Sequence, residues 1–73
     1  MSHDRLVTMA NQIGTFFATQ RREDQAGRVA GHLQDYWTPE MREELFRLVD
    51  SGAEGLHPLV IEASARLRPK ADA

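Results

Sequence analysis

The chain has 73 residues, 41% hydrophobic and 27% charged, a composition that fits one small folded domain with a single core. Nine Lys and Arg against eleven Asp and Glu leave a formal charge of −2, so no basic field is available to neutralise phosphates and nucleic acid is not an expected partner. With no cysteine, disulfides, thiol nucleophiles and thiolate-held zinc or iron–sulfur centres are excluded.

The N-terminal MSHDRLVTMA lacks a signal peptide's apolar stretch, and no apolar run approaches the roughly 18 residues of a membrane span. The expected location is cytoplasmic, with no membrane partner. From about Asp4 to Gln20, apolar residues fall at Leu6, Met9, Ala10, Ile13, Phe16 and Phe17. At roughly 100° per residue they share an arc about 120° wide, which predicts an amphipathic helix capped by Ser2 or Asp4. The stretch TQRRED has no apolar residue and reads as a surface turn. A second helix, about Glu23 to Trp37, repeats the spacing with Ala26, Val29, Ala30, Leu33, Tyr36 and Trp37. Thr38 and Pro39 stop it and begin the next, because Thr is a favoured N-cap and Pro a favoured first helical residue.

The third helix runs from Pro39 to about Asp50 with Met41, Leu45, Leu48 and Val49 on one face, and Gly52 and Gly55 end it. After the loop SGAEGLHPLV begins, Pro58 marks the first turn of a last helix to about Arg68, with His57 as a helix-start residue and Pro69 closing the fold. No period-two alternation supports a strand. The expected architecture is all-α: a bundle of four short helices, about 4–20, 23–37, 39–50 and 58–68, in one domain over 1–73 with a polar tail at 69–73. Its expected core is Leu6, Met9, Ile13, Phe16, Phe17, Leu33, Trp37, Met41, Leu45, Leu59, Val60 and Leu67, with the Trp37 indole N–H hydrogen-bonded.

Catalytic motifs are absent. His3, His32 and His57 have no metal-ligand spacing, the glycines form no phosphate cradle, and Ser2, Ser51 and Ser64 lie in no nucleophile motif. Neither a catalytic, a cofactor-binding nor a metal site is expected in this chain. The informative residues are those off the core stripes. Ile61 lies roughly 160° from Ala63 and Phe46 at the margin of its helix face, while Gly27 and Gly31 sit four apart on a helix that each weakens by about 1 kcal/mol. They form a candidate partner interface, with Ile61 foremost and with Asn11 and Arg42 added from the blocks described next.

Three blocks, MANQIGTFF at Met9 to Phe17, HLQDYWTPEMREEL at His32 to Leu45 and GLHPLVIEASARL at Gly55 to Leu67, together resemble the delta subunit of cytoplasmic NAD-dependent, molybdenum-containing formate dehydrogenase. The resemblance rests on the Asn11-Gln12-Ile13-Gly14 run, the aromatic-Trp-x-Pro-x-Met-Arg stretch and the Leu-x-Pro-Leu-Val helix start. Where that family commonly has Phe before the Trp and an acid before the Pro, this chain has Tyr36 and Thr38, which keep the roles of aromatic anchor and cap. The resemblance implies a non-catalytic accessory subunit of a complex that oxidises formate to carbon dioxide and reduces NAD. Its partner would be the alpha subunit, which carries bis-molybdopterin guanine dinucleotide and iron–sulfur clusters; beta and gamma subunits would carry further clusters and FMN. The competing reading is a free-standing assembly or regulatory factor that binds the apo catalytic subunit transiently during cofactor insertion.

Overall fold

A computed structural model describes residues 3–20, 23–52 and 54–68. Ser2, Arg21, Arg22 and the tail 69–73, on which one of the two expected caps, part of the first turn and the closing Pro69 fall, lie outside them; the other expected cap, Asp4, stands inside the first turn of the first helix, which begins at His3. The described residues form four helices and no strand: α1 (His3–Ala18), α2 (Gln25–Tyr36), α3 (Pro39–Asp50) and α4 (Pro58–Leu67). The all-α bundle read from the periodicity is the one observed.

Helix α4 is the shortest, yet it packs on each of the other three. Its small and β-branched residues Val60 and Ala63 are fully buried against Leu6 and Ala10 of α1, Val29, Ala30 and Leu33 of α2, and Leu45 of α3. Trp37 and Leu56 complete this core from the corners. Met9, Ile13, Phe17, Met41, Leu59 and Leu67, expected inside, are half-buried and pack on it from outside.

Each turn has a local cause. Asp24 stands in the left-handed conformation (φ 56°), and its carboxylate accepts from Gly27 N–H, so α2 begins at Gln25 rather than Glu23. Trp37 is extended (φ −91°, ψ 143°) rather than helical, because Thr38 must be extended ahead of Pro39 and its hydroxyl oxygen accepts from Met41 N–H at 3.2 Å. At α4 the imidazole Nδ1 of His57 accepts from Leu59 N–H at 3.0 Å, making His57 the cap.

The C-terminal carbonyls are served by side chains from the following segment. Gln25 Nε2 donates to the carbonyls of Phe17 and Gln20 after α1. Arg42 Nη1 donates to Trp37 O at 2.7 Å and to Gln34 O at 3.2 Å after α2. Arg68 donates to Phe46 O at 2.9 Å and to Asp50 at 2.8 Å after α3. Of these, the Gln34 and Trp37 carbonyls would otherwise have no intrahelical partner.

Asn11 ties α1 to the loop before α4. Its Nδ2 donates to Gly55 O at 2.7 Å, and its Oδ1 accepts from His57 N–H at 2.8 Å. One turn on, Gly14 lets His57 and Val60 close in: a Cβ there would stand 2.9 Å from His57 Cγ.

Asn11→Ala strands both loop groups and is expected to cost about 1–3 kcal/mol in a urea titration, whereas Asn11→Asp, which keeps the acceptor, loses less. In the same titration Gly14→Ala destabilises by about 1–3 kcal/mol through overpacking. Gly31→Ala, where a Cβ meets nothing within 4 Å, stabilises by up to about 1 kcal/mol.

Candidate functional site

The apolar stripes of α1 and α2 have the same six offsets, and the helical angle separates their members. Measured from Leu6 or Ala26, the residues at offsets 4, 7 and 11 fall within about 40° of the starting residue, whereas offset 10 falls about 80° to one side. Offset 10 is Phe16 on α1 and Tyr36 on α2, and these two are the large apolar side chains that the fold leaves out: Phe16 is 56% and Tyr36 74% exposed. The placement of Phe16 in the core is therefore corrected. Helix α4 is too slim to cover the whole arc, and the residue at its edge is the one released.

Both edges border one trough. Met9, Gln12, Ile13, Phe16 and Phe17 of α1 form one wall, His32 and Tyr36 of α2 the other, and Trp37 and Met41 line it at the corner between α2 and α3; its volume is about 750 Å³. An aromatic ladder runs along it. Phe16 meets Phe17 edge to face with centroids 5.1 Å apart, Phe17 meets His32 at 6.0 Å, and His32 lies tilted on Tyr36 at 4.7 Å. Among the described residues no formally charged side chain lines the trough.

Trp37 is buried, 6% exposed, and its indole N–H makes no hydrogen bond to another described residue; because no buried side-chain nitrogen or oxygen there lacks a partner, that N–H is the part of the ring that reaches solvent. Its trough neighbours Met9, Ile13 and Met41 offer no oxygen. The side chains of Gln12, His32 and Tyr36 likewise make no hydrogen bond among the described residues. The site is thus an apolar trough carrying a few free polar groups, a composition found at binding surfaces. No group of three or more His, Asp or Glu side chains comes together among the described residues.

None of the six residues proposed from sequence as a partner interface lines the trough. Asn11 and Arg42 are spent on the internal bonds described above. Gly27 lies under the Asp24 carboxylate that caps its helix, where a Cβ would collide. The Arg68 guanidinium covers Phe46, 5.1 Å from its ring centroid. Ile61 is half-buried and packs on the core, and Gly31 faces open space. The trough was legible in one respect, since FF and YW are adjacent aromatic pairs at two helix ends, and neighbours 100° apart cannot both point inward.

A family model described as "NADH-dependant formate dehydrogenase delta subunit FdsD" matches residues 5–64, a span that contains every residue of the trough. No curated protein matches the chain.

Trp37→Ala is expected to cost about 3–5 kcal/mol in denaturant titration. Phe16→Ala and Tyr36→Ala are expected to cost less than about 1 kcal/mol each, because most of each ring already stands in water.

Proposed function

The chain belongs to the formate dehydrogenase delta subunit family, and from that premise we propose that it is the non-catalytic accessory subunit of an NAD-dependent formate dehydrogenase. In this reading it binds and stabilises the catalytic alpha subunit, which bears the molybdenum cofactor, and supports assembly of a cytoplasmic complex with beta and gamma subunits. Formate oxidation, electron transfer through iron–sulfur clusters and FMN, and NAD reduction then belong to those other subunits. This chain's part is to supply surface.

The observation that carries the reading is the aromatic trough. Phe and Tyr each offer on the order of 200 Å². Covering what Phe16 and Tyr36 leave in water would therefore contribute roughly 6–7 kcal/mol before the costs of association, at about 25 cal/mol per Å². A solitary domain gains nothing from such exposure. A small domain's core rarely supplies more than about 3–5 kcal/mol, so partner burial of this size is comparable with the chain's own stability.

Deleting the chain from its host is expected to lower formate dehydrogenase activity together with the molybdenum content of the purified alpha subunit, while the isolated chain oxidises no formate. Full activity with full cofactor content in the deletion strain would overturn the proposal. Mixing with alpha should also raise the chain's melting temperature in a concentration-dependent way.

A further inference from the structure

The polar rim of the trough is lopsided. At the corner end, Asp35 lies one turn from His32 and beside Tyr36, and Glu40 shares a shallow hollow with Leu6, Met41, Glu44 and Arg47. Arg47 holds Glu44 at 2.9 Å, a hydrogen bond that raises the Arg47 pKa above its ordinary value. Arg5, one turn before Met9, is engaged within the chain. Asp35 and Glu40 are exposed, and neither has an ion-pair partner among the described residues. The rim along α1 is neutral, formed by Thr8, Gln12 and Thr15. Arg28, one turn before His32, lies towards the far end.

The walls are helices whose backbone groups are already paired, so the trough has no sheet edge to which an extended segment could add. An extended segment would bring unpaired amides against Met, Ile, Phe and Trp side chains, whereas a helix brings its backbone bonds already made.

We propose that the trough receives an amphipathic helix of the partner subunit, its apolar stripe on Phe16, Phe17, Tyr36 and Trp37 and a Lys or Arg at one end against Asp35 and Glu40. This rests on the accessory-subunit reading and goes beyond it by stating which surface docks and what chemistry it selects. The apolar stripe supplies affinity. The one-sided charge sets the direction in which the helix lies, since reversing it would bury the apolar stripe equally well but move the cation away from the carboxylates.

The test uses the full chain and the purified catalytic alpha subunit of the host's formate dehydrogenase. A photo-cross-linking phenylalanine analogue replaces Tyr36 or, as a control, the exposed Ser51. Cross-links from position 36 are expected on one helical segment of alpha with apolar residues three and four apart and a Lys or Arg within a turn. Position 51 should give none there. The Phe16→Ala/Tyr36→Ala variant should bind alpha on the order of a hundredfold more weakly at any salt concentration. Asp35→Asn/Glu40→Gln should bind about tenfold more weakly at low salt, with the difference shrinking as salt rises. Circular dichroism checks that both variants remain helical. Failure of the wild-type chain to bind alpha overturns the accessory-subunit reading and this inference with it. Binding of alpha by the Phe16→Ala/Tyr36→Ala variant at wild-type strength overturns the inference alone, as do position-36 cross-links to another copy of this chain or to an extended or acidic segment of alpha.

Discussion

Asn11 holds the bundle closed by spending both halves of one amide on a loop more than forty residues away. The Gly55 carbonyl and the His57 amide that it engages lie within three residues of the start of α4 at Pro58, so the bond helps fix where that helix starts. Gly14, one turn along α1, lets the same His57 approach the helix backbone, and His57 in turn caps α4. Position, approach and start of the central helix thus converge on one junction. Without it, α4 would have no defined register against the three helices it joins.

The same economy governs the other ends. A chain this short has many helix termini for its size, and each leaves carbonyls that water or a side chain must satisfy. Gln25 and Arg42 each reach back from the next segment to do so. Arg42 matters most for the site, because its bond to Trp37 O secures the extended corner that carries Trp37 and Met41 into the trough. A trough held this way loses little freedom when a partner arrives, which leaves more of the burial to appear as affinity.

Breadth of the apolar arcs connects stability to function. Helices α1 and α2 carry wider stripes than the slim face of α4, built from Val60 and Ala63, can cover. The surplus is not scattered: offset 10 lies on the same side of both stripes, and the antiparallel hairpin brings the two edges to one trough. One part of each arc is core, and the other part, at Phe16 and Tyr36, is exposed.

Helix number, approximate bounds, the Thr38-Pro39 corner and the His57 start were legible in the sequence, because they depend on periodicity and on residues that act within one or two turns. Membership of the delta subunit family was legible for a related reason, since its blocks coincide with helix starts and stripes. Which aromatic of each adjacent pair stays outside, the solvent-facing Trp37 indole N–H, and the internal employment of Asn11 and Arg42 were not. Each depends on which groups lie opposite after packing, across separations of up to 46 residues, and no local pattern carries that information. A stripe in the sequence states which residues prefer to leave water. Only the tertiary structure decides how many of them find a neighbour, because that depends on the width of the helix that packs against them.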